Sequence, residues 1–188
     1  MHASEFTTSG FNEFVRQYYG QVDKDALIID VRWSQGGWTG GHLAELLARK
    51  PLNYAAGPYT GEAWPAPRWG AHFGAKAVIV NHITVSAGEN FAYYFRKLGL
   101  GPIVGSRTWG GLTGLNPIPG LIDGGAVNVP NAPFYDESGW LIENHGVEPD
   151  RLVFWDPAKA ADPQLEAAIE EMMKAIAKPY RAPGKPAR

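Results

Sequence analysis

An α/β fold is predicted by three observations. Two continuous apolar runs, Ala26-Leu27-Ile28-Ile29-Asp30-Val31 and Lys76-Ala77-Val78-Ile79-Val80-Asn81, are each followed by a short Gly or polar turn and a helix-like segment. Uninterrupted runs of this kind belong to strands covered on both faces, as in a parallel sheet flanked by helices. The chain then closes on an amphipathic segment opened by Asp162-Pro163, which predicts a C-terminal helix.

In chain order, Gly10–Tyr19 predicts a helix with Phe11, Phe14, Val15 and Tyr18 on one face, ahead of the first strand. Trp33-Ser34-Gln35-Gly36-Gly37 is a turn, and a helix over about Thr39 to Arg49 follows, stopped by Pro51. The stretch Leu52–Gly74, with Gly57-Pro58, Trp64-Pro65 and Pro67, is read as irregular. After the second strand comes a helix over Glu89–Leu98 ended by Gly99, then a short strand at Pro102–Gly105. Asn116–Trp140 predicts antiparallel hairpins turning at Asp123-Gly124-Gly125 and Glu137-Ser138-Gly139. In the last helix Asp162 is the N-cap, Pro163 takes the first turn, and Leu165, Ile169, Met172, Met173 and Ile176 form the apolar stripe. Glu170 and Lys174 are spaced for a surface pair worth roughly 0.3 kcal/mol. Residues 1–178 are therefore read as one domain, and the Pro-rich basic stretch 179–188 as a flexible tail.

Composition narrows the function classes. A net charge of −2 without a basic run before the tail argues against nucleic acid as a partner. With no cysteine, disulfides, thiolate chemistry and Cys-based metal sites are excluded. No apolar stretch is long enough to cross a bilayer, and Met1-His2-Ala3-Ser4-Glu5-Phe6 has no signal-peptide pattern, so a cytoplasmic location is expected. No His-Glu-x-x-His spacing occurs among the five histidines, and neither a metal nor another cofactor is expected.

The chemistry-bearing segments follow strands. Val85-Ser86-Ala87-Gly88-Glu89 puts a serine where a helix begins. Its hydroxyl can stand over the sheet end while the Ala87 N–H points at a developing oxyanion. The same residues also spell a capping box, Ser-x-x-Glu, so a purely structural role stays open. Gly36-Gly37 before a helix can present a second oxyanion donor, or can simply serve a tight turn needing positive φ. In Glu143-Asn144-His145 the two ionisable side chains share a face if the segment is extended, making His145 a candidate base oriented by Glu143 or a turn residue on the surface. His82, four residues before Ser86, is a second candidate base; His42 and His72 are scattered.

At these residues the chain resembles the tricorn-type serine peptidases of the C-terminal-processing peptidase family. The resemblance rests on Leu27-Ile28-Ile29-Asp30-Val31-Arg32 with Gly36-Gly37, on Val85 to Glu89, on Gly105-Ser106-Arg107-Thr108-Trp109-Gly110-Gly111, and on Glu143 to Asp150, in that order. It implies a ClpP/crotonase-like core of ββα units. It implies Ser86 as nucleophile, with the Ala87 N–H and that of Gly36 or Gly37 as oxyanion hole. Glu143 would be the acidic member of the charge-relay set. It further implies a peptide substrate cut through an acyl-enzyme, and assembly into a homo-oligomer. The stretch Thr108-Trp109-Gly110-Gly111 lacks the lysine base of the processing branch, which points to the tricorn branch with its histidine base. That histidine lies ahead of the core in the family, so the chain is read as an isolated, incomplete core. The competing expectation is a catalytically silent peptide-binding or assembly module on the same fold; acyl-CoA chemistry is disfavoured because fold alone does not give function.

Overall fold

The computed structural model describes residues 1–57, 63–66, 70–115, 120–178 and 180–186. Its centre is a parallel sheet of β1 (Ala26–Asp30), β4 (Ala75–Val80), β5 (Ile103–Gly105) and β10 (Arg151–Leu152), in that spatial order. Three helices, α1 (Thr8–Tyr19), α2 (Gly40–Leu47) and α3 (Ala87–Lys97), belong to one side, and α4 (Pro163–Ile176) covers the other. The architecture is thus mixed α/β with a parallel sheet, as expected.

Side-chain alternation along the strands assigns the two faces. Leu27, Ile29, Val78, Val80 and Ile103 join Phe6, Phe14, Tyr18, Leu43, Phe91 and Phe95 in the main core. Their neighbours Ile28, Ile79 and Val104 pack instead with Ala167 and Ala168 of α4. Both faces are therefore dry, which is why these strands read as unbroken apolar runs. Burying each of the large side chains contributes about 1.5–3 kcal/mol.

An element not anticipated is the N-terminal segment, which adds itself to the β1 edge. The Asp30 N–H donates to Met1 O at 2.8 Å and the Ala3 N–H to Asp30 O at 2.8 Å. Beyond it, Phe6 bridges to the Gly37 turn.

Three expectations are corrected. Leu52–Gly74 is not wholly irregular: β2 (Asn53–Ala56) and β3 (Ala63–Ala66) form an antiparallel ribbon with Asn53 opposite Ala66. Pro65 is tolerated there because a two-stranded ribbon has only edges. In α4 the buried residues are Gln164, Ala167, Ala168 and Met172, so Leu165, Ile169 and Met173 of the expected stripe lie exposed. The small alanines let the helix approach the sheet, and Gln164 is drawn inward by bonds to Val153 O at 2.8 Å and Arg32 at 3.3 Å. The Glu170–Lys174 pair is also replaced: Glu170 takes Arg151 at 2.7 Å and Lys174 takes Glu171 at 2.9 Å.

The expected hairpins appear as β6 (Gly114–Leu115) with β7 (Pro130–Ala132), and β8 (Tyr135–Asp136) with β9 (Gly139–Trp140). Expectations at Pro58, Pro67, Trp69, Asn116, Pro179 and the last two residues lie outside the described residues. Among the described residues no helix is long and apolar enough to cross a membrane.

Candidate active site

The loops leaving the carboxyl ends of β1, β4 and β5 converge, the usual place for a site in a parallel sheet. Hydrogen bonds stitch the first two together. Buried Asn81 accepts at Oδ1 from the N–H groups of Trp33 (3.2 Å), Ile83 (3.1 Å) and Thr84 (3.1 Å). The Thr84 hydroxyl donates to Val31 O at 3.0 Å, and the Val85 N–H to Ser34 O at 3.2 Å.

Ser86 caps α3 with φ 53° and ψ −121°. A non-glycine residue held there costs on the order of 1–3 kcal/mol, and such conformations concentrate at functional sites. Glu89, one turn into the helix and fully buried, sustains the conformation. Its Oε2 accepts the N–H of Ser86 at 3.1 Å and of Gly111 at 2.9 Å; its Oε1 accepts the Thr108 hydroxyl and the Gly110 N–H, each at 2.6 Å. The Glu89 half of the capping box therefore exists, and the same carboxylate fastens the third loop. Thr108 Oγ1 in turn accepts the Val147 N–H at 2.7 Å, carrying the tie to the segment of Glu143 and His145.

The Gly36-Gly37 turn packs directly on Ser86. Gly36 has φ 94°, and a Cβ there would lie 2.7 Å from Ser86 Cβ and 3.0 Å from its Oγ. A Cβ on Gly37, at φ 137°, would meet the Phe6 carbonyl at 2.3 Å. Phe6 clamps the turn from outside: its N–H donates to Gly36 O at 2.8 Å, and its carbonyl accepts the N–H groups of Trp38 and Thr39 at 2.9 Å. The Gly36 N–H is occupied by Ser34 Oγ at 3.4 Å. Among the described residues the N–H groups of Gly37 and Ala87 have no acceptor.

Gly37, Ser86 and Ala87 share the lining of a cavity of about 380 Å³ with Trp38, His42, Glu45, Asn90, Tyr94, Leu112 and Phe134. Glu143 stands behind one wall, its Oε2 accepting the N–H of Leu112 at 2.9 Å and of Thr113 at 2.6 Å. Those bonds, Thr113 first, hold its pKa below the ordinary carboxylate value. Segment 142–146 is a turn with positive φ at Ile142 and Asn144, so the shared extended face expected of Glu143 and His145 does not form. His145 and His82 are exposed and outside the cavity lining, whereas His42, which sequence reasoning set aside, is on it. Its one sequence signal was its place two residues inside the helix after the Gly turn. A larger cleft of about 660 Å³, lined by Asp23, Trp64, Phe73 and Tyr180, opens at the amino ends of β1 and β4, away from Ser86. Among the described residues no group of three or more His, Cys, Asp and Glu side chains could hold a metal ion.

The turn at Ser86 thus combines a strained backbone at a helix start, two unengaged N–H groups and a cavity in front of them. Residues 1–153 match peptidase family S41, and the chain belongs to that family. Within the family its similarity runs to tricorn enzymes. It is 37% identical over 182 residues to the tricorn protease of Thermoplasma volcanium, covering 95% of this chain and 18% of that protein. It is 36% identical over 180 residues to a putative tricorn-like protease C-terminal subunit of Sulfurisphaera tokodaii, covering 94% of this chain and 21% of that one. Among solved structures, the tricorn protease superimposes with a TM-score of 0.84 at 33% identity, over 95% of this chain and 18% of that chain. The photosystem II D1 C-terminal processing protease shares the fold, with a TM-score of 0.63 at 23% identity over 91% of this chain and 45% of that chain. This chain thus spans about a fifth of the length of the tricorn relatives it matches.

Proposed function

We propose that this chain is the nucleophile-bearing core of a cytoplasmic serine peptidase acting on peptides. Ser86 attacks the scissile carbonyl, and the N–H groups of Ala87 and Gly37 receive the oxyanion. Gly36, whose N–H is engaged by Ser34, shapes the hole by leaving room for Ser86 Oγ. Glu143 acts as the acidic member by fixing the wall at Leu112–Thr113. The observation that carries the reading is the strained Ser86 backbone facing a cavity beside two unengaged N–H groups. Residues 1–178 work as one unit on a ClpP/crotonase-like core, and the chain assembles as a homo-oligomer.

The base is a histidine. Within this chain His145 and His82 are the candidates from sequence, and His42 shares the cavity. Without any of them the base comes from outside this chain, as the resemblance to tricorn-type enzymes implies. The test is labelling with a fluorophosphonate probe, read by intact mass. Stoichiometric labelling that vanishes in Ser86→Ala supports the nucleophile, and loss in one of His42→Ala, His82→Ala or His145→Ala identifies the base. An unlabelled, folded wild type that regains labelling with a base-bearing segment of a tricorn relative supports an incomplete core. Labelling that survives Ser86→Ala refutes the assignment.

A second reading, a silent peptide-binding module, is favoured by one observation: among the described residues no imidazole is hydrogen-bonded to Ser86. It predicts that peptide affinity is unchanged in Ser86→Ala and that neither form turns over.

A further inference from the structure

One residue, Phe6, grips the Gly36–Gly37 peptide from outside the turn. The Phe6 N–H donates to Gly36 O at 2.8 Å. The Phe6 carbonyl accepts the N–H groups of Trp38 and Thr39 at 2.9 Å and the Thr39 hydroxyl at 2.8 Å. The Phe6 ring is fully buried and lies 5.3 Å from the ring of Phe91 on α3, the helix that Ser86 opens. Phe6 is itself held in register by the segment before it, which pairs with β1 and the turn that follows. The Ala3 N–H donates to Asp30 O at 2.8 Å, and the Gln35 N–H to Ser4 O at 3.3 Å.

We propose that Phe6 is a positioning residue for the oxyanion hole: its backbone N–H fixes the plane of the Gly36–Gly37 peptide so that the Gly37 N–H faces Ser86. A trans peptide is planar and carries its C=O and N–H on opposite sides. A Gly36 carbonyl turned out to Phe6 therefore turns the Gly37 N–H inward, to the side where Gly37, Ser86 and Ala87 line the cavity. Glycine on both sides, at φ 94° and 137°, lets this peptide turn over without a Cβ penalty, so the outside bond decides its sense. An inverted peptide would present a carbonyl oxygen where the oxyanion forms and repel it. Donors that act on an oxyanion have to be aimed before the charge develops. With its ring on α3 and its backbone on the glycine turn, Phe6 also sets the Ala87 and Gly37 donors relative to each other.

This role rests on the reading of Gly37 as an oxyanion donor and names what aims it. The test uses a probe that needs no catalytic base: the tripeptide Ala-Ala-Leu, whose free carboxylate stands in for the oxyanion. It is titrated into isotope-labelled full chain while the amide protons of Gly37 and Ala87 are followed by NMR. In the wild type both are expected to move downfield. Exchanging the Phe6 amide for an ester, by incorporating phenyllactate at position 6, deletes the N–H and keeps the ring. The Gly37 response is then lost, the Ala87 response stays, and peptide affinity falls about tenfold. Thr39→Val, which removes one bond to the Phe6 carbonyl, weakens the Gly37 response and Thr39→Ser restores it, a readout that survives if the ester chain does not fold. Phe14→Leu, in the same core, lowers the melt and leaves both responses intact. A Gly37 response undiminished by the ester and by Thr39→Val, or one that Phe14→Leu abolishes as well, overturns the positioning role and leaves the Ser86 reading standing. A wild type in which Ala87 alone responds overturns Gly37 as donor and this role with it. A wild type in which neither amide responds overturns the oxyanion hole itself.

Discussion

Replacing Glu89 by Gln is the sharpest test of how the site is held. The Glu89 carboxylate is fully buried and accepts from Ser86, Gly110 and Gly111 N–H groups and from the Thr108 hydroxyl. In the amide one oxygen becomes an NH₂ group that faces donors. On the Oε2 side it meets two N–H groups. On the Oε1 side it meets the Gly110 N–H and a Thr108 oxygen already accepting the Val147 N–H. Bonds to a charged acceptor contribute about 1.5–3 kcal/mol each, and buried donors left unpaired add to the loss, so Glu89→Gln should destabilise by about 3–5 kcal/mol. Urea unfolding followed by tryptophan fluorescence measures it, with the slope checked for constancy. Hydrogen exchange should show faster opening at Ser86, Gly110 and Gly111 than elsewhere in the sheet. A loss under about 1 kcal/mol with unchanged exchange at those amides would refute the claim that Glu89 ties the Ser86 turn to the third loop.

Three further outcomes follow from the same geometry. Gly36→Ala should cost about 1–3 kcal/mol and abolish probe labelling at Ser86; Gly99→Ala, at φ 62° with nothing within 4 Å of a new Cβ, is the control for backbone strain alone. Equal stability losses in the two would sink the steric argument. The Arg32 guanidinium bonds Asp30 and Asp162 at 2.6–2.9 Å and is flanked by the rings of Trp33 and Trp155 at 5.2 and 4.7 Å, so Arg32→Ala, which strands both carboxylates, should lose about 3–5 kcal/mol in chemical denaturation. His72 is pushed down to about 4 by burial and the neighbouring Lys76 charge, with its Nδ1 buried and unpartnered. The unfolded chain then takes up the proton first, so stability is full above the unfolded value of 6.5 and falls as pH drops toward 4, by about 2–3 kcal/mol. Subtracting the profile of His72→Gln isolates this from the carboxylates; parallel profiles would contradict it.

What this chain's sequence determines by itself is what local patterns encode. The strands at Ala26–Val31 and Lys76–Asn81 are legible because two covered faces leave unbroken apolar runs. Helix α3 is legible through Ser86 at its start and Gly99 at its end. The tertiary structure decided what depends on distant partners. The face α4 buries depends on Gln164 meeting Arg32 and Val153 and on alanines small enough to approach the sheet; a hydrophobic-stripe argument sees neither. Glu89 reads as half of a capping box, and only folding reveals that its carboxylate also gathers the loop at 108–111. Only the folded chain shows that Ser34 takes the Gly36 N–H, the ground on which Gly37 is proposed as the oxyanion donor. Periodicity records which residues share an element; which face that element buries and which polar groups it satisfies are set by contacts between residues far apart in the chain, and no local pattern encodes them.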